Sequence, residues 1–437
     1  MVPFMMLMRA VHIKVSYRQT LKSLADWLAI GIAISLPWST SVTGILIVLW
    51  LINALLILDT AAVRRELATA AGGLPILLWA LAAVGMLWSD ATWSERFGGL
   101  GGFNRLLIIP LLLGQFRHSE HGGRVLLGFF ASVFVVLVAS WALALLPDLL
   151  WRGKMFGVPV KDYILQSEDF IICTFALLGV AVNKSRLGSW IVFGGLVALA
   201  VLFIANVALV VTGRTALLVV PVLGLLFGWR QSGWKGLLVA GALCCVIGVA
   251  VSLASPYLRS QFETSVTELQ DYLESDAYNS TALHLDFLKK SVSFIETAPI
   301  IGHGTGSIPE QFRKAAVGEV GAASVASVNP HNQIFAVAIQ LGLVGAVALV
   351  AMWVAHFMLF RGGGLTAWYG TIIVAENVVA SLFNSHLFDF TQGWLYVFGV
   401  GVAGGMALRE YDRAIAPKLC DVGHSAARPH AKSSRRA

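Results

Sequence analysis

Two short runs, Pro299-Ile300-Ile301-Gly302-His303-Gly304-Thr305-Gly306 and Asn329-Pro330-His331-Asn332, lie in the one long polar insert of an otherwise apolar chain. The insert runs from Ser255 to His331, and the next apolar segment starts directly behind it. Within it, Leu258, Phe262, Val266, Leu269 and Leu273 recur at three- and four-residue spacing, the signature of an amphipathic helix. A second helix is expected to be capped around Asn279-Ser280-Thr281 and to run through Leu285, Leu288, Val292 and Ile295 until Pro299 stops it. The apolar faces of both are expected to pack on the top of the bundle. Glycines 302, 304 and 306 have no preceding strand and no following Gly-Lys-Ser/Thr, so they read as a tight turn rather than a phosphate loop.

Composition sets the frame around that insert. Of the 437 residues 57% are hydrophobic and 13% charged, against about 25% charged in soluble domains. The chain is thus an integral membrane protein. Its net charge of +7 would suit nucleic acid if it were clustered, but the basic residues fall mostly in alternate short loops, the pattern that orients membrane proteins. The four cysteines show no CxxC spacing: Cys173, Cys244 and Cys245 lie in apolar runs and Cys420 in the tail, so neither a disulfide nor a metal is expected. No cleavable signal peptide is expected, because no small-residue cleavage site follows Arg9, Lys14, Arg18 and Lys22.

Apolar segments fall at about 24–40, 42–58, 73–89, 98–115, 125–146, 167–183, 188–209, 216–229, 236–254, 332–359, 364–382 and 393–408. A hydrocarbon core of about 30 Å takes about 20 helical residues, so these predict about twelve crossings with both termini inside. Twenty Lys and Arg then lie inside and eleven outside. The expected organisation is a basic inner arm (1–23), nine helices (24–254), an outer loop subdomain (255–331), three helices (332–408) and a basic tail (409–437) without apolar periodicity, expected to be disordered. No internal repeat is evident, which weighs against an inverted-repeat transporter.

Several polar residues could carry chemistry. His331 follows Asn329, a possible cap, and Pro330, which suits a first helical turn. A helix N-terminus disfavours imidazolium, so this ring would stay neutral and able to accept a proton; the alternative is an interfacial histidine that only bonds the loop. Arg214 lies in the short turn Thr212-Gly213-Arg214-Thr215. There its fork, the Thr215 hydroxyl and the N-terminal amides of the next helix would suit a phosphate, unless the arginine merely snorkels to the interface. Arg105 lies about seven residues into its segment, roughly 10 Å deep at 1.5 Å per residue; it is a functional candidate or half of a structural pair. Arg152, Lys154 and Lys161 make one outer loop cationic, and Asp389 could orient a histidine by accepting its ring proton.

Taken as an ordered set, these features resemble the bacterial O-antigen ligase family, the WaaL-like members of the O-antigen ligase/polymerase superfamily. The features are the large loop before the last three segments, Gly213-Arg214-Thr215 upstream of Pro330-His331-Asn332, the Pro299 to Gly306 pattern, Asn104-Arg105-Leu106-Leu107…Pro110, and Tyr163-Ile164-Leu165-Gln166-Ser167. The resemblance implies a GT-C-like all-α membrane enzyme of the bacterial inner membrane, multi-pass, with its site facing the periplasm. It implies transfer of polysaccharide from undecaprenyl pyrophosphate to lipid A–core, inverting and without metal or cofactor, and no nucleic-acid partner. His331 would be general base; Arg214, Arg105 and Thr215 would hold the pyrophosphate; Arg152 and Lys154 would add charge, and Asn332 and Asp389 would orient. The family carries an arginine in the loop helix where this chain has Ser280-Thr281-Ala282-Leu283-His284. Either His284 takes that role, or Arg259 or Arg313 swings in, or the register differs. The nearest rival is the O-antigen polymerase, which the amino-terminal patterns disfavour. A protein oligosaccharyltransferase would carry extra C-terminal sequence. A transporter, the rival of a different class, would place ionisable groups near midplane in both halves.

Overall fold

The computed structural model describes residues 2–146, 155–211, 213–254, 263–264, 266–268, 270 and 279–426. Every apolar segment read from the sequence is largely helical. The order is α1 (Val2–Ser35), α2 (Thr40–Leu56), α3 (Thr60–Leu67), α4 (Ala70–Gly85), α5 (Trp93–Asn104), α6 (Ile108–His118), α7 (Gly122–Leu145), α8 (Tyr163–Arg186) and α9 (Trp190–Leu209). Then come α10 (Arg214–Ala254), α11 (Ser280–Thr297), α12 (Ile308–Ala316), α13 (Gln333–Leu359), α14 (Leu365–Ala380) and α15 (Phe390–Ala426). The described residues contain no strand beyond one isolated bridge, Met155 to Val158.

Among the described residues, six helical stretches are by themselves long and apolar enough to cross a bilayer, and a seventh is the bent pair α2–α3, which turns through 111°. Exposed aliphatic side chains form lipid-facing stripes, such as Ile45, Val48, Ile52 and Leu55 on α2 and Leu343, Val347, Val350 and Val354 on α13. Such surfaces are stable only in hydrocarbon. The chain is a multi-pass, all-helical membrane protein.

Two elements differ from a plain reading of the segments. The fourth segment is not one rod: a 3-10 turn at Arg105–Leu107 separates α5 from α6. Helix α10 is two arms, because Ser232 and Gly233 leave helical geometry and the chain folds back. A Cβ on Gly224 would lie 3.1 Å from Cys244 Sγ, and one on Gly228 2.7 Å from the Ala240 Cβ. The arms therefore cross at glycines, the usual route to close helix approach in a membrane. Helix α15 meets α6 in the same way: Gly404 faces Leu113, and Gly405 faces the Phe116 Cβ at 2.7 Å from its own virtual Cβ.

Polar contacts collect at two ends of the bundle. At one end Arg117 reaches Glu66 (3.1 Å) and Asp412 (2.7 Å), Arg413 reaches Glu120 (2.6 Å), His121 reaches Asp26 (2.9 Å), and Arg230 donates to the Gly364 carbonyl (2.7 Å). These are the loops that the charge pattern assigned to the inner face. Arg409 and Arg413 pair with Glu120 and tie the start of the basic tail to the α6–α7 connection.

The large loop forms the other end. Asn279 caps α11 by accepting from the Ala282 amide (2.8 Å), as the sequence implies. Phe287 and Phe294 of α11 meet Phe312 of α12 edge-on at 5.5 and 5.2 Å, and this cluster rests on Ala336 and Ile339 of α13. The loop helices thus pack on the bundle. Of the expected first loop helix, Leu258, Phe262, Leu269 and Leu273 lie outside the described residues.

The glycine turn fixes that packing. Helix α13 is interrupted at Gly342, whose φ is +64°. The carbonyls of Ile339 and Gln340 accept from His303 N–H (2.8 Å) and Gly304 N–H (2.9 Å), while Leu343 N–H donates to Pro299 (2.8 Å). The Thr305 N–H donates to Gly85 at the end of α4 (3.0 Å), and its hydroxyl to Ala82 (2.5 Å). Gly304 has φ +87°, and a Cβ there would lie 2.5 Å from the Ser89 Cα. Gly304→Ala is therefore expected to cost about 2 kcal/mol or more, strain plus clash. Gly318→Ala, with φ +82° but open space, should cost only about 1 kcal/mol. Thermal unfolding in detergent compares them; equal losses would show that the close approach is not what holds the turn.

Candidate active site

His331 lies just before α13, with a left-handed backbone (φ +54°). The helix starts three residues later than the Pro330 reading implies: Asn332, not Asn329, is the cap and accepts from the Phe335 amide (3.1 Å). Asn329 holds the turn instead, its Oδ1 accepting from the His331 N–H (2.9 Å) and the Ser385 hydroxyl (2.7 Å). Asn332 also donates to the Leu382 carbonyl (3.0 Å). Its placement bears on orientation: it ties the histidine turn to the segment between α14 and α15.

The His331 ring stands 4.8 Å from that of His284, edge-on, and stacks on Phe287 at 5.8 Å. It also shares a side-chain hydrogen bond with Asn384. Burial, then the nearby His284, lowers its pKa below the ordinary imidazole value, and the Asn384 bond partly opposes this. The Asn384 amide donates to Asp389 Oδ2 (3.0 Å), and its carbonyl accepts from Asn329 Nδ2 (2.8 Å). With its N–H2 turned to the carboxylate, Asn384 offers His331 an oxygen. A neutral His331 then donates one ring N–H to that oxygen and leaves the other nitrogen as proton acceptor.

Asp389 therefore reaches His331 through Asn384 rather than directly. Its own nearest imidazole is His386, at 3.8 Å. Burial raises the Asp389 carboxyl to about 6 against the opposing effect of Arg105, and burial alone lowers His386 to about 4. His386 also lies 3.3 Å from Glu168 of α8, both almost wholly buried. Arg105 clamps this loop: it donates to the Asp389 carbonyl and to the Phe388 carbonyl (2.9 Å), with its guanidinium 5.9 Å from the Trp394 ring. Only 8% exposed, it supports the site from behind. The 3-10 turn at Arg105 is what aims it there.

Other candidates sort themselves. Lys161 ties the outer loop to the Leu36 carbonyl and to Thr391 Oγ1 (2.9 Å), a bracing role. Arg313 is held by Glu95 (2.7 Å) and Glu310 (2.6 Å), and so is engaged with α5 and its own helix. His303 faces the Phe294 carbonyl at the end of α11 (2.8 Å). Arg214 opens α10, and Thr215 follows in its first turn, half-buried, while Gly213 packs on Ser167 of α8. The side chain of Arg214, and all of Arg152, Lys154 and Arg259, lie outside what the structure describes. Among the described residues, no group of three or more His, Cys, Asp or Glu side chains is placed to share a metal ion.

Asn384, Ser385 and Glu168 are absent from the sequence reading. Glu168 carried a signal, since a carboxylate inside an apolar segment marks a functional candidate. Asn384 and Ser385 carried none, as their importance arises only where the α14–α15 segment meets Asn329.

Residues 198–350 match the family model described as O-antigen ligase. That span contains Arg214, His284, the glycine turn and His331. Over that span the chain is similar to the O-antigen ligase family. No curated protein matches it. That family is associated with glycosyltransferase-like ligase or polymerase activity on lipid-linked glycan in a membrane, and the histidine turn of this chain lies near the carboxy-terminal edge of the matched region.

Arg105→Lys would keep the charge but lose the fork that grips two carbonyls. The expected loss is about 2 kcal/mol of stability, the scale of a hydrogen bond to a charged group. Thermal unfolding reads it; a midpoint equal to wild type would show that the clamp is not needed to hold the loop.

Proposed function

We propose that the chain is an O-antigen ligase: it transfers polysaccharide from undecaprenyl pyrophosphate to a sugar hydroxyl of lipid A–core. The reading carries with it a GT-C-like bundle of twelve crossings in the bacterial inner membrane, with the His331 end facing the periplasm and both termini in the cytoplasm. The carrying observation is His331 itself, paired with His284 and oriented by Asn384, at the end of the bundle away from the basic ion pairs.

In this mechanism the free nitrogen of His331 takes the proton of the acceptor hydroxyl. The hydroxyl oxygen attacks the anomeric carbon, the bond from that carbon to the pyrophosphate oxygen breaks, and configuration inverts. Charge growing on the leaving pyrophosphate is met by Arg214, Thr215 and the first-turn amides of α10, with His284 adding charge when protonated. Arg152, Lys154 and Arg259 would draw the polyanion in, while Asn332 and Asp389 keep the turn in register and Arg105 holds it from behind. No metal or cofactor takes part.

The test is ligation in a ligase-null strain with wild type, His331→Ala and Arg214→Ala at matched expression. Loss of a positioned base should lower capping about 10²–10⁴-fold, with full-length lipid-linked polymer accumulating. Collapse of polymer to single repeats would identify a polymerase instead. Unchanged capping by His331→Ala would end the general-base assignment.

The pH profile gives a second check. Because His331 titrates below the ordinary 6.5, activity should be flat at neutral pH and fall only on acidification through that lowered value. His284→Ala removes one cause of the lowering, so its acid limb should move to higher pH. A shift to lower pH would contradict the pairing.

A further inference from the structure

A cavity of about 550 Å³ opens at the basic end of the bundle, between α8, the turn of α10 and the loop from α13 to α14. Three arginines line it, Arg186, Arg230 and Arg361, and no acidic residue does. Arg230 is braced by the carbonyls of Gly362 (3.1 Å) and Gly364 (2.7 Å) and lies 5.5 Å from the Trp368 ring. Arg186 donates to Gln231 Oε1 (2.9 Å). Each of these partners is neutral, so no carboxylate pairs directly with either guanidinium. One carboxylate, Glu410, borders the loop without lining the cavity: it accepts from the Thr366 hydroxyl (2.5 Å), and its other oxygen would lie 3.5 Å from a Cβ on Gly364, so one negative charge faces three arginines.

The depth of the cavity is marked independently. Trp190, Trp229 and Trp234 are 66%, 57% and 62% exposed and sit beside the same loops. Exposed tryptophans ring membrane proteins at the headgroup level. Leu226, Trp229, Phe357 and Phe360 form the apolar side of the cavity. Arginine donors at headgroup depth above an apolar wall suit a ligand with a phosphate diester head and acyl tails.

We infer that this cavity is a binding site for an anionic glycerophospholipid, its phosphate held by Arg186, Arg230 and Arg361 and its acyl chains lying along the wall made by Leu226, Trp229 and Phe357. The lipid fills the gap between the α10 hairpin and α8 and α14. It makes no contact with the His331 turn, so the inference does not rest on the proposed transfer reaction.

The experiment uses the full-length protein, delipidated in neutral detergent, with phosphatidylglycerol, phosphatidylcholine or inorganic phosphate added. Native mass spectrometry counts bound lipid, and thermal unfolding reads protection. Phosphatidylglycerol should bind and raise the unfolding midpoint, with phosphatidylcholine and phosphate weak. Arg186→Gln and Arg361→Gln should each weaken that binding about fivefold, the worth of one basic residue at an anionic surface. These exposed positions are used because Arg230 also braces the loop; the unliganded midpoint of each variant should match wild type. Equal binding of the zwitterionic lipid, equal protection by phosphate alone, or undiminished phosphatidylglycerol binding by the double variant would each overturn the inference.

Discussion

The break in α13 at Gly342 is the constraint on which the rest of this structure depends. A helix interrupted at membrane depth exposes carbonyls and amides that lipid does not solvate, and each one left unpaired costs several kcal/mol. Here the glycine turn supplies the missing partners from both sides: its amides take Ile339 and Gln340, and the carbonyls of Pro299 and Ile300 take Leu343 and Val344. The turn closes on α4 through Thr305 as well. A polar loop is thereby sewn to two membrane helices by backbone alone, and α11 and α12 follow because they flank the turn.

That stitching places the histidine. Ala336 and Ile339 in the first turns of α13 support Phe287, Phe294 and Phe312, so α11 is held at a fixed height above the helix that His331 precedes. His284 is on the same face as Phe287, one turn away, and arrives beside His331 for that reason. From the other side Gln333 fixes the α14–α15 segment, its backbone N–H donating to the Ser381 carbonyl (2.8 Å) and its Oε1 accepting from the Leu387 N–H (2.9 Å). Arg105 then grips the same segment. Three parts of the chain that are distant in sequence converge on one imidazole.

Much of this was legible beforehand, for physical reasons. Hydrophobic runs mark membrane helices whatever their partners, and every run read from the sequence is largely helical. The Asn279 cap and the glycine turn are local, and both read correctly. The break between α5 and α6 was not read, although Pro110 announces it: proline has no N–H for the Leu106 carbonyl, and the 3-10 turn at Arg105–Leu107 sits at that point; the interruption serves a tertiary contact with Phe388 and Asp389. The cap of α13 was misplaced for a related reason. Asn329 and Asn332 are both competent caps, and the choice is made by Ser385 and Asn384, which occupy Asn329.

The two ends of the bundle use different electrostatics, and the difference bears on chemistry. At the basic end, full charges meet directly, as in Arg117 with Glu66 and Asp412, and such pairs lock helices. Around His331 itself the links are amides, a hydroxyl and a neutral imidazole, with Arg105 turned toward carbonyls rather than a carboxylate. A histidine paired directly to an ionised acid would be drawn toward imidazolium and would lose the lone pair that a base needs. Interposing Asn384 between His331 and Asp389 transmits orientation without transmitting much charge. His284 pushes in the same direction, since a second imidazole opposes protonation of the first. The site is thus built to hold His331 aimed and unprotonated, which is the state that deprotonating a sugar hydroxyl requires.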